Sequence, residues 1–252
     1  MSDIDLIKPR SIHLIRVLIN RKDKGMCFSA GASFAGGVII SAIGIATVLK
    51  IHKPSQVLFA SIPLFFGMQQ IIEGLLWLTL PLTDHEGLRH VSTYGFLIMA
   101  QVIWPIMIPL SVVFMEESGK KKKYLYILLI VGAALSVYYS FCLFSFKVYP
   151  QIQGYHIFYD NDFPKSFTNI AFAFYLIATI TPLFVSSIKR THMLGILMTL
   201  SCLVTGIFFT QYLLSVWCFF AALISGVIFW ILSDSRVLFN LEKLKLLKIP
   251  SR

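Results

Sequence analysis

Residues 54–81 read Pro54-Ser-Gln-Val-Leu-Phe-Ala-Ser-Ile-Pro63-Leu-Phe-Phe-Gly-Met-Gln69-Gln70-Ile-Ile-Glu73-Gly-Leu-Leu-Trp77-Leu-Thr-Leu-Pro81. The run is long and apolar enough to cross a bilayer as a helix. Its second half nevertheless carries two amides and a carboxylate. A carboxylate at membrane depth is costly, so it is normally turned away from lipid and given a partner. Gln69 and Glu73 are four apart, Gln70 and Glu73 three apart, and Glu73 and Trp77 four apart. On a helix these spacings make one polar and aromatic stripe. The stripe is expected to face the middle of a helix bundle.

The rest of the chain repeats the pattern. Of its 252 residues, 57% are hydrophobic and 13% charged, and the charges fall in short clusters between long apolar runs. That composition excludes an ordinary soluble domain and fits a polytopic α-helical membrane protein, in which each helix satisfies its own backbone hydrogen bonds. A transmembrane barrel would show short alternating strands, a pattern the sequence lacks. The formal net charge of +10 invites nucleic acid as a partner. The lysines and arginines stand at the ends of apolar segments, however, where membrane topology accounts for them. The bilayer is therefore the expected partner and nucleic acid is not.

Seven spans are expected, at about 28–49, 54–81, 92–115, 124–145, 167–187, 193–212 and 215–232. Together they make an all-α, seven-transmembrane-helix bundle occupying 26–232. The first span is rich in glycine, alanine and serine, which lets helix backbones approach closely. Polar loops are expected around Asp84–His90 and from Phe146 to Ser166. Residues 1–25 are polar and basic, with a short amphipathic piece from Ile12 to Asn20, and read as an extension outside the fold. The tail, 233–252, reads as a basic amphipathic helix on the membrane surface. Lys50, Lys53, Lys120–Lys123, Lys189, Arg190 and the tail fall on one side of a seven-span chain, which places them in the cytoplasm and Met26 outside.

With that orientation, Glu73 lies about seven residues below the outer end of its helix, on the order of 10 Å. Candidate pocket residues from six helices share this outer half: Glu73, Gln70, Gln69 and Trp77; Gln101 and Trp104; Tyr138 and Tyr139; Asn169 and Tyr175; Gln211; and Trp217. His156 joins them from the long loop. A binding site combines apolar walls with a few convergent polar groups. Packing offers an alternative for each. Trp77 and Trp217 suit interface anchors; Gln101 and Asn169 suit interhelical hydrogen bonds; Glu73 bonded to Gln70 and a tyrosine suits a lock between helices. Cys27, Cys142, Cys202 and Cys218 form no CxxC pair, and the six histidines make no HxxxH or HExxH motif, so no metal or cofactor is expected. Whether Cys27 and Cys218 pair is open.

Four motifs carry a resemblance: Met26-Cys27-Phe28-Ser29-Ala30, Gln69-Gln70-Ile-Ile-Glu73-Gly74-Leu-Leu-Trp77, Trp104-Pro105, and Ser215-Val-Trp217-Cys218-Phe219-Phe220-Ala221-Ala222. Together they resemble a bacterial family of uncharacterised integral membrane proteins, classed as a domain of unknown function. The resemblance spans about 26–232 and implies a natural start at Met26 and a bacterial inner-membrane location. The family loop before the fifth span is similar to Gly-His-Ser-Ile-x-Tyr, whereas this chain has Gly154-Tyr155-His156-Ile157-Phe158-Tyr159, with the histidine one position later. No activity comes with the resemblance. Nor does the chain look like a retinal protein, having no lysine in its last span, or like a zinc-dependent membrane hydrolase.

Three functions follow as expectations. The first is an outward-facing, partly polar pocket for a small molecule or lipid, in a sensor or carrier. The second is a membrane-embedded enzyme on a lipid or isoprenoid, with Glu73 as general acid or base. The third is a structural or assembly subunit whose polar stripe only packs.

Overall fold

The computed structural model describes residues 29–154, 156–208 and 220–233. The 1–25 extension, Cys27, Cys218, Gln211, Trp217 and the tail beyond 233 lie outside the described residues.

The chain runs α1 (Ala30–Val48), α2 (Pro54–Thr79, opening with a 3-10 turn at Pro54–Gln56), α3 (Glu86–Met115), α4 (Gly119–Ser145), β1 (Val148–Gln153), β2 (His156–Asn161), α5 (Lys165–Val185), α6 (Lys189–Phe208) and α7 (Phe220–Ser233). Among the described residues six helices, α1 to α6, are long and apolar enough to cross a membrane. The expected seventh span is described only from Phe220 onward, and α7 is shorter.

Three boundaries differ from the sequence reading. The expected polar loop at Asp84–His90 gives way to helix from Glu86, and Lys120–Lys123 form the first turns of α4 rather than a loop. An apolar run marks where the hydrocarbon begins, whereas the backbone can already be helical outside it. The third difference is the 146–166 segment, which holds an antiparallel β-hairpin with Gln153 opposite His156. Gly154 at its turn has φ +61, the left-handed region that favours glycine. Ile157 and Tyr159 alternate inward along β2, at 1% and 8% exposure. The Tyr159 ring stacks on Phe96 of α3 with centroids 5.1 Å apart.

Lipid tails are as apolar as leucine, so helices in a membrane associate through close packing and interhelical hydrogen bonds. Both are visible. Gly37 of α1 and Gly67 of α2 meet backbone to backbone: a Cβ on Gly67 would lie 3.0 Å from the Gly37 carbonyl oxygen. The small-residue composition of the first span is thus used as expected. In α3, Pro109 has no N–H to donate to the carbonyl of Pro105, one turn earlier. Gly132 of α4 sits directly against that carbonyl, where any Cβ would collide.

α3 also carries a π turn over Ile98–Ile103, in which the Trp104 N–H reaches back to Met99 O. Two neighbouring carbonyls of this turn are bound from other helices. The Tyr175 hydroxyl of α5 donates to Ala100 O at 2.7 Å, and the Ser136 hydroxyl of α4 donates to Val102 O at 2.6 Å. α3 is therefore the central strut, tied to α4 and α5 at its irregular point.

Candidate functional site

The buried apolar side chains fall into two clusters. The larger contains Phe59 and Ile62 of α2, the Trp104–Met115 half of α3, and residues of α4 to α7. The smaller contains Leu76, Phe96, Leu97, Ala100, Cys142 and Leu143, closed over by Ile157 and Tyr159 of the hairpin and by Phe163. Gln69 and Gln70 on α2 and Gln101 on α3 stand between residues of the two clusters in sequence. Tyr138 and Tyr139 on α4 border both. The polar residues thus mark a seam across the bundle.

Glu73 is 2% exposed, Gln70 8% and Gln69 3%. Gln70 Nε2 donates to Glu73 Oε2 at 3.1 Å, the pairing that the three-residue spacing predicts. Gly36 of α1 lies over the other side of this amide, where a methyl group would sit 3.5 Å from Gln70 Oε1. Gln69 turns the other way and accepts from the Trp104 indole N–H at 2.8 Å. That indole is held by Phe66, 4.3 Å between centroids. The stripe therefore divides: Gln69 joins α2 to α3, and Gln70 holds Glu73.

The remaining candidates separate. Trp77 is half-buried against the smaller cluster. Tyr138 and Tyr139 meet edge to face at 5.3 Å. Tyr175 is buried and spends its hydroxyl on Ala100. The Oε1 of Gln101, in the π turn, is buried without a hydrogen-bond partner. Asn169 lies exposed on α5, away from the seam. Inward positions on that helix are Ala171, Tyr175, Ala178 and Pro182, and Asn169 falls two residues before them on the opposite face. His156 is half-buried in β2, and burial holds its imidazole below the ordinary value of 6.5. Among the described residues no group of three or more His, Cys, Asp or Glu is placed to hold a metal ion.

One interior carboxylate escapes the sequence reading. Glu116 follows α3 directly and reads there as a loop charge, yet it is 2% exposed. Its Oε1 accepts from the Ser118 N–H at 2.9 Å and its Oε2 from the Ser187 N–H at 2.6 Å. Burial pushes this carboxyl up, but the Ser187 and Ser118 donors and the nearby Lys121 ammonium outweigh it and hold it below 4.5. The only signal in the sequence is that Glu116 adjoins the apolar run.

These contacts gather the basic turns at one end. Lys53 Nζ bonds Glu117 Oε1 at 3.0 Å, and Lys121 Nζ donates to Ser186 O at 3.3 Å. Glu73 lies toward the opposite end of the bundle, six residues before the close of α2, about 9 Å at 1.5 Å per residue.

No curated protein and no solved structure matches the chain. A family model does, over residues 26–240. The chain belongs to that family, a family of unknown function designated DUF6629.

Proposed function

We propose that this chain is a seven-helix integral membrane protein in which Glu73 and Gln70 mark an intramembrane site for a small molecule or lipid, in a sensor or carrier. One observation carries the reading. A carboxylate, buried with its amide partner Gln70 where α2 passes between the two apolar clusters, lies within a helix long and apolar enough to cross a membrane, where charge is expensive. Glu73 and Gln70 fix the polar head of the ligand, and Trp77 and Trp104 form walls beside it, with Trp217 as the expected third. The basic turns face the cytoplasm of a bacterial cell, so Glu73 lies in the outer half. Residues 1–25 form an extension outside the membrane domain, a reading supported by a family match that begins at residue 26.

A second reading has its own observation. The Trp104–Gln69 bond is what interhelical glue looks like, and by extension the whole seam would be packing. A thermal-shift screen in detergent against lipids and amphiphilic metabolites separates the two, run on the wild type and on Glu73→Gln. The site reading expects a compound that raises the wild-type midpoint and leaves the variant unmoved. Compounds that shift both proteins equally, or none at all, leave the packing reading standing.

A further inference from the structure

We propose that the end of the bundle bearing Lys120–Lys123 binds the phosphate headgroups of anionic phospholipids. Three turns that are far apart in sequence meet here. The Lys53–Glu117 ion pair at 3.0 Å joins the α1–α2 turn to the α3–α4 turn. Ser187 N–H to Glu116 at 2.6 Å, and Lys121 to Ser186 O at 3.3 Å, join the α3–α4 turn to the α5–α6 turn. The eight cations Lys50, Lys53, Lys120–Lys123, Lys189 and Arg190 consequently share one surface with two carboxylates. Glu116 is turned inward onto backbone N–H groups beside Lys121, and Glu117 is engaged by Lys53. Lys120, Lys122, Lys123 and Lys189 make no ion pair among the described residues.

The level of this surface identifies the anion. Tyr124 and Tyr126, directly after the lysine run, are 62% and 49% exposed, and Trp230 of α7 is 43% exposed. The Arg190 guanidinium lies 5.0 Å over the Trp230 ring. Exposed Tyr and Trp at helix ends mark the headgroup layer, so the first anions that these lysines meet are lipid phosphates. Among the described residues the other end differs in sign, with Arg89, Lys147 and Lys165 set against Asp84, Glu86, Asp160 and Asp162. Among the described residues anionic lipid is therefore favoured at one face only.

The test reconstitutes the full chain in nanodiscs of phosphatidylcholine, with and without about one-fifth phosphatidylglycerol, and follows tryptophan fluorescence on heating. Phosphatidylglycerol is expected to raise the midpoint by several degrees. The variant Lys120→Gln/Lys122→Gln/Lys123→Gln/Lys189→Gln should lose most of that increment, whereas Lys147→Gln/Lys165→Gln should keep it. Equal wild-type midpoints in the two lipids overturn the proposal, as does an increment that the fourfold variant retains. Inorganic phosphate that reproduces the increment in phosphatidylcholine alone also overturns it, by assigning the surface to a soluble anion. Should the fourfold variant fail to fold, salt decides on the wild type. Raising it to about 1 M contracts the Debye length to about 3 Å and should erase the increment; an increment that persists overturns the proposal.

Discussion

Glu73 and Glu116 are exposed to the same small extent, 2%, but they are held in different ways. Glu116 sits at the end of a helix and receives two backbone N–H groups, one from its own turn and one from the α5–α6 turn. Its partners are fixed by the fold, and its charge joins two loops. Glu73 lies within a span and receives a side-chain amide from the preceding turn of the same helix. Glu116, bonded to backbone donors of two loops, is assigned to the scaffold; Glu73, buried within a helix long and apolar enough to cross a membrane and bonded to a side-chain amide, is the one we assign to a site.

The largest expected effect tests the scaffold half of that contrast. Glu116→Ala leaves the Ser118 and Ser187 N–H groups without their acceptor. Hydrogen bonds to charged groups contribute about 1.5–3 kcal/mol each, so a loss of about 3 kcal/mol or more is expected in a reversible unfolding titration. Glu73→Ala should cost clearly less. Equal losses would make both residues clamps and end the distinction.

The second effect is a pH dependence. Because the folded carboxyl of Glu116 lies below 4.5, the unfolded chain takes up its proton first as the pH falls. The stabilisation is complete above that value and is lost as the pH drops through the folded one. The wild-type thermal midpoint should therefore decline below pH 4.5 more steeply than that of Glu116→Gln, whose side chain does not titrate. Parallel curves would mean that the clamp does not depend on charge.

Those two tests bear on a residue that the sequence hides. Six of the expected spans are legible as long apolar helices because contiguous apolar runs stand out in a sequence, and the Gln70–Glu73 pair is legible because both residues lie on one helix. Whatever depends on how helices are rotated against each other is not. The Gln69–Trp104 bond crosses from α2 to α3, and Asn169 turns out on the exposed face of α5 although the sequence groups it with the other candidates. Glu116 fails for a related reason, since a charge beside an apolar run reads as a loop whether it points outward or back under the bundle. The hairpin fails because a two-stranded unit anchored by Ile157 and Tyr159 leaves only two inward positions as its trace.

A smaller effect sharpens the division within the stripe itself. A double-mutant cycle of Gln69→Leu with Trp104→Phe should return a coupling of about 0.6 kcal/mol, the average for interhelical bonds in membranes. The same cycle run with Gln69→Leu and Glu73→Gln should return a value near zero, because Gln69 bonds Trp104 while Glu73 bonds Gln70. Strong coupling there would merge the two halves of the stripe into one network.

The smallest expected change is the most informative. Glu73→Gln keeps the shape and hydrogen-bonding capacity of the side chain and removes the cost of a buried charge, so unfolding stability should be unchanged or slightly higher. A response to ligand in the thermal-shift screen should nevertheless disappear. Stability lost along with the response would return Glu73 to the scaffold beside Glu116.

The π turn in α3 has a consequence for the order in which the protein is made. Gln69 and Trp104 are 35 residues apart, so α2 and α3 can bond as soon as both have left the ribosome. Ala100 and Tyr175 are 75 residues apart. At about 5–20 residues per second, synthesis of the intervening chain takes roughly 4–15 s. During that interval the Ala100 carbonyl has no hydroxyl from α5 to bind, although Ser136 reaches Val102 sooner, after 34 residues. The central helix is thus made before the contact that completes its irregular turn exists, and α5 finishes a segment of chain translated seconds earlier.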